Sequence, residues 1–192
     1  MSTKPSETVD LIYQLKITLR DSHPPIWRRV LTPGKFNLYK LHKVIQISMG
    51  WTDSHLHHFL VGGIYYSYPD PNADWADSGE KDSRRVTLAQ IAPYPKCKFV
   101  YEYDFGDSWD HEILVEKIQP PESDIKYPLC IKGKRACPPE DVGGLWGYME
   151  FVEAMSNPDH DEHDSYFDWW GGEYNPEEFD IEAVNQALQR VK

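Results

Sequence analysis

Tyr101 to Glu112 reads YEYDFGDSWDHE, and the fold follows from how that stretch is parsed. Two alternating runs meet in it at Phe105-Gly106-Asp107-Ser108. On the incoming side Phe99, Tyr101, Tyr103 and Phe105 share one strand face, and Lys98, Val100, Glu102 and Asp104 the other. On the return side Trp109, His111, Ile113 and Val115 fall on a single face. The pattern predicts a hairpin, with Gly106 expected to supply a positive φ and Asp107 and Ser108 to serve as turn residues. Asp104, Asp107 and His111 gather at this turn. Turn chemistry accounts for Asp107, but not for His111 on an otherwise apolar face, beside two aspartates expected to raise its pKa or orient its ring.

Leu11 to Arg20 alternates in the same way, with Leu11, Tyr13, Leu15, Ile17 and Leu19 on one side, and predicts a half-buried strand. Prolines 24 and 25 break it before a second, antiparallel strand at Ile26 to Leu31. In a regular strand Arg28 and Arg29 face opposite ways, so only one of them can join a given site. Asn37 as N-cap, Leu38, Leu41, Ile45 and Met49 at helical spacing, and Gly50 as the stop predict a helix over 38–49. His42 falls at the edge of its apolar stripe and reads as a hydrogen-bonded core-edge histidine. His55 to Val61 predicts a strand turned by Gly62-Gly63 into Ile64 to Tyr68.

The stretch 67–85 is polar and reads as a solvated loop, its acids too irregular for a calcium loop. Val86 to Ile91 predicts a short helical turn. Pro128 to Gly144 is rich in turn residues. Leu145, Tyr148, Met149, Val152 and Met155 define an amphipathic helix ended by Asn157 and Pro158, and Asp159 to Asp164 (DHDEHD) reads as a solvated acidic loop. Tyr166 to Trp170 is expected to pack the C-terminal region onto the body. Asn175, Pro176 and Glu178 read as the capping signals of a last helix bearing Ile181, Val184, Leu188 and Val191.

The expected architecture is therefore α+β: one domain over 1–192, with a mainly antiparallel sheet built from hairpins, one helix after the first two strands and a helical C-terminal region. A polar tail covers about 1–9 and an acidic helical part about 140–192. The 192 residues, 40% hydrophobic and 14% aromatic, suffice for one core. The net charge of −11 is uneven: residues 140–192 carry 14 acids against Arg190 and Lys192, while residues 1–139 carry 17 acids against 18 bases. An acidic quarter of this kind repels phosphate backbones and attracts basic partners, which makes a protein partner the expectation and disfavours nucleic acid. The polar N-terminus, the lack of a run of about 20 apolar residues and three unpaired-looking cysteines point to a cytoplasmic protein without a membrane partner.

Ionisable residues define the candidate sites. His57, Asp104, Asp107, His111, Glu140 and Asp141 form a candidate polar site, in which His57, His111 and Asp104 would be the ligands of a divalent metal. Arg28, Arg29, Lys132, Lys134 and Arg135 are candidates for anion binding. Cys130 and Cys137, with six residues between them, lack the pair spacing of zinc ribbons and read as buried thiols. Gly-rich phosphate loops, GxSxG elbows and HExxH helices do not occur, which counts against common nucleotidases, serine hydrolases and zincins.

Taken in order, IWRR (26–29), LHKVIQISMGW (41–51), HLHHF (55–59), YDFGDSWDH (103–111), RACPPEDVGG (135–144) and NPEEFD (175–180) closely resemble the plasmid pRiA4b ORF-3-like family. The resemblance runs from about Tyr13 to Leu188. It implies an α+β domain, an association with plasmids and other mobile elements, and no assigned activity. Relatives often carry a cysteine where this chain has Val142, so a metal site built on Cys130, Cys137 and that third cysteine is not expected here. Whether the chain is an enzyme is left open by its motifs. The reading that follows best is a non-catalytic binding or accessory module, with a metal-assisted hydrolase using the His/Asp cluster and a nucleic-acid-binding accessory protein as alternatives.

Overall fold

The computed structural model describes residues 10–69 and 79–191. The tail at 1–9 and most of the acids of the 67–85 loop lie outside these residues. Among the described residues the sheet has eight strands in the order β5-β4-β3-β6-β7-β1-β2-β8. In chain order they are β1 (Ile12–Leu19), β2 (Trp27–Pro33), β3 (His57–Val61), β4 (Ile64–Ser67), β5 (Lys81–Asp82), β6 (Lys98–Tyr103), β7 (Trp109–Gln119) and β8 (Leu129–Lys134). Every pairing is antiparallel except that of β4 with β5. This is the α+β domain that the alternation predicts.

Directly opposed residues share a face, so register sorts the sheet into two sides. Ile17 opposes Arg28 and Ile113, Phe99 opposes Ile113, and Tyr101 opposes both His111 and Phe59. These residues are buried, and they form the inner side. The outer side holds a charged ladder in which Arg29 and Gln14 donate to Glu116, and Lys98 pairs with Glu112. A one-residue slip of any strand would exchange the two sets, so burial fixes the register.

Helix α1 (Leu38–Met49) starts and stops where the sequence predicts. Asn37 accepts a hydrogen bond from the Lys40 amide, and Gly50 adopts φ 111° at the C-cap. Leu38, Leu41, Val44 and Ile45 are fully buried, each worth about 1.5–3 kcal/mol of transfer free energy. The other helices are α2 (Leu88–Ile91), α3 (Gly144–Ser156), α4 (His163–Trp170) and α5 (Ile181–Leu188).

Several expectations are corrected. Lys81 to Arg85 is not loop: it forms β5 and a 3-10 turn, with Asp82 capping the turn through the Arg84 amide. Within the turn-rich 128–144 stretch, Leu129 to Lys134 forms edge strand β8. The buried side of α3 runs through Tyr148, Phe151 and Ala154, leaving Met149 exposed. The last helix begins at Ile181 and is capped by Asp180, which accepts from the Glu182 and Ala183 amides; Asn175 instead closes a local turn by accepting from Glu177.

In the hairpin the positive φ values belong to Asp104 (57°) and Ser108 (53°), not to Gly106. The Asp104 carboxylate folds back to accept from the Gly106 amide at 3.0 Å, the local bonding by which aspartate tolerates a left-handed backbone.

Candidate functional site

Because β3 and β6 are antiparallel and His57 opposes Tyr103, the loop entering β3 and the turn leaving β6 meet at one end of the sheet. A third segment, Pro138 to Gly144, closes over them. Trp51 donates its indole N–H to the Pro138 carbonyl at 3.1 Å. Tyr103 donates to Glu140 and accepts from the Ser54 and His55 amides. Asp107 accepts from the Gly143 amide at 3.2 Å. Gly144 (φ 68°) passes so close that a Cβ there would stand 2.6 Å from the Asp107 carbonyl oxygen, so this junction requires glycine.

Two ionisable clusters flank the Asp53-Ser54-His55 tripeptide. The first is a buried chain. Gln46 donates to the Tyr101 hydroxyl at 2.9 Å, Tyr101 contacts His42 Nδ1 at 2.8 Å, and His42 Nε2 reaches Asp53 at 2.6 Å. A hydroxyl donating to Nδ1 leaves the His42 proton on Nε2, where it donates to the carboxylate. Asp53 also accepts from Lys43, and the His57 ring stacks on His42 at 3.5 Å and 3°. Burial lowers the pKa of His42, and lowers that of His57 to about 2. For Asp53 burial pushes upward, but the hydrogen bonds from His42 and Lys43 outweigh it and hold the acid at about 2.

The second cluster lies nearer the surface. His55 Nε2 is 3.1 Å from Asp141 Oδ1 and 3.6 Å from Asp104 Oδ2. Asp104 is buried and Asp141 exposed. Asp53, Asp104 and Asp141 all hold positive φ, at 62°, 57° and 60°. Sparsely populated backbone conformations concentrate at functional sites, and these three aspartates lie in the two clusters.

The predicted site residues are therefore partitioned. His57 stands in the first cluster, Asp104 and Asp141 in the second, and Asp107 and Glu140 are hydrogen-bonded at the loop junction. His111 joins none of these: it is fully buried, Trp51 meets its ring edge-on at 5.2 Å, and its Nδ1 faces the Tyr101 carbonyl at 3.3 Å. The partner of Asp104 is His55, not His111. Burial lowers the His111 pKa to about 4, opposite to the rise expected from neighbouring aspartates. Reading the sequence alone missed His42, Asp53 and His55 as members of the clusters. The DSHLHH run (53–58) was the available signal, but residue alternation does not show which distant acids a loop histidine meets.

The anion-binding candidates also separate. Arg28 is buried, donates to the Ser48, Trp27 and Lys134 carbonyls and stacks on Phe179 at 3.9 Å. Arg29 is held by Glu116, and Arg135 by Glu177 at 2.7 Å. Lys132 and Lys134 are exposed. Of the expected buried thiols, Cys130 is buried and Cys137 partly so, and both are free.

Fold and site together define a single-domain α+β protein with a one-sided, mainly antiparallel sheet and two His/Asp clusters at the end where three loops converge. The chain belongs to the plasmid pRiA4b ORF-3-like protein family, which it matches over residues 11–183. It is 38% identical over 179 residues to the uncharacterized protein y4hQ of Sinorhizobium fredii, covering 92% of this chain and 90% of that protein. A crystal structure of a protein of unknown function, MM3350 from Methanosarcina mazei Go1, superposes with a TM-score of 0.81 at 33% identity, covering 91% of this chain and 98% of that one. No helix among the described residues is long and apolar enough to cross a membrane.

Proposed function

We propose that the protein is a non-catalytic binding module whose partner is a basic protein segment docked on α3 and α4. The carrying observation is that α4 buries no residue while presenting Phe167, Trp169 and Trp170 half-exposed beside Asp164 and Asp168. On α3, Trp146 is 83% exposed, with Met149 next to it along the same helical face and Glu150 and Glu153 around it. Exposed aromatics rimmed by charge mark interaction surfaces, and tryptophan is a favoured anchor.

Charge selects the partner. This face lies in the quarter of the chain that holds 14 acids against two bases. A cleft of about 290 Å³ between the end of α3 and α4 is lined by Met155, Pro158, His163, Phe167, Glu173 and Tyr174. Glu173 in it suits a lysine or arginine. The nucleic-acid alternative has less support, since Arg28, Arg29 and Arg135 are committed to carbonyls or carboxylates. A hydrolase using His57, His111 and Asp104 as ligands also has less support, because these residues occupy separate places.

A peptide library displayed against the wild-type protein tests the proposal. Lys/Arg-rich peptides with an apolar anchor should be selected, and Glu173→Gln and Trp146→Ala should each weaken them about tenfold. Selection of acidic peptides, or equal binding by the variants, would refute it.

A further inference from the structure

We propose that His55, Asp104 and Asp141 bind one divalent cation of the Zn²⁺ class. Their three ligand atoms lie within 4.8 Å of one another. Two ligands about 2.1 Å from a tetrahedral metal stand about 3.4 Å apart, and the distances from His55 Nε2 to the two carboxylates, 3.1 and 3.6 Å, bracket that spacing. His55 Nε2 is shielded from solvent and makes no hydrogen bond, although the Asp141 oxygen stands at ion-pair distance, so this nitrogen is available to a metal.

Orientation and charge agree with that reading. Asp104 spends Oδ1 on the Gly106 and Asp107 amides and turns Oδ2 toward His55. Backbone support of this kind fixes a metal-ligating carboxylate. Among the described residues, neither Asp104 nor Asp141 has a lysine or arginine within ion-pair distance; His55 is the ion-pair partner of both. A buried carboxylate beside a second one is costly unless a cation joins them, and a divalent ion supplies that charge. Asp141, exposed at the rim, provides the entry path.

The neighbouring trio His42, Asp53 and His57 is as closely spaced, and His57 Nε2 also makes no hydrogen bond, but its other two members are already engaged. Both His42 nitrogens are engaged, Lys43 neutralises Asp53, and the stacked rings hold their lone pairs parallel instead of convergent. One imidazole nitrogen and two carboxylate oxygens suit zinc, and three protein ligands leave a coordination position for water.

The test is equilibrium dialysis of tag-free, chelator-stripped protein against Zn²⁺, with metal analysis and thermal melting. Wild type should bind one ion per chain and melt higher with zinc. Asp141→Asn is the informative variant, because asparagine keeps the left-handed backbone while removing the charge. It and His55→Gln should weaken binding about tenfold or more and lose the zinc-dependent melting shift, whereas His57→Gln should keep both. Absence of stoichiometric zinc in wild type, wild-type affinity in both Asp141→Asn and His55→Gln, or loss of binding in His57→Gln alone would each overturn the assignment.

Discussion

Arg28 shows how a residue's chemistry is settled by what surrounds it. Its guanidinium ties three carbonyls from β2, β8 and the end of α1 through three of its five N–H groups. Arg28→Met keeps the stem and orphans those carbonyls. It should cost about 3 kcal/mol in urea unfolding, within the range for a broken buried polar network; a loss under 1 kcal/mol would contradict that role. The buried histidines set the acid response. His111 and His57 have folded pKa values of about 4 and about 2, against about 6.5 unfolded. Folded values below unfolded ones mean that the unfolded chain binds the extra protons. Stability is therefore fully present above pH 6.5 and falls as pH drops below it, by about 1.4 kcal/mol per pH unit for each proton. The His111 share ends near pH 4 and the His57 share near pH 2. Asp53, held at about 2, adds a loss only below its unfolded value of about 3.9. His111→Phe should remove one proton from the slope between pH 6 and 4, and unfolding curves across that range measure it directly. An unchanged slope would show that His111 is not the titrating group.

Among the elements, α1 and the Tyr101–Glu112 hairpin were legible because their signals are local. Asn37, Gly50 and the Leu38-Leu41-Ile45-Met49 spacing are enough to define α1, and alternation defines β6 and β7. Strand β8 was not legible, since LCIKGK is strand only because β2 lies beside it and Phe179 covers Gly133. For the last helix Asn175 read as the cap, whereas Asp180, five residues on, caps it through the Glu182 and Ala183 amides. The site followed the same division. Asp104, Glu140 and Asp141 stood out by residue type, whereas the meeting of His55 with two acids from other segments depends on a loop junction that no periodicity encodes. That junction rests on Gly144 at the start of α3. Gly144→Ala places a Cβ against the Asp107 carbonyl in a left-handed conformation, and should destabilise the chain by about 1–3 kcal/mol by thermal melting. A wild-type melting temperature would mean that the turn and α3 move independently.

Over the whole molecule, polarity is divided between two ends of the chain. In the sheet Arg28 and Arg29 are engaged internally, while α3 and α4 carry acids and part-exposed aromatics, of which Trp169 and Trp170 also pack on Phe151. Removing Trp146 and its neighbour should leave stability nearly unchanged: Trp146→Ala/Met149→Ala, both on exposed positions, should shift unfolding by no more than about 0.5 kcal/mol each. A binding role predicts that the same change matters only when a partner is present. The most direct measurement is quantitative capture from a native lysate at low and high salt, using wild type and this double variant. The account predicts a Lys/Arg-rich protein recovered by wild type at low salt, reduced at high salt and lost with the variant. Equal recovery by both proteins, or recovery that does not depend on salt, would contradict it.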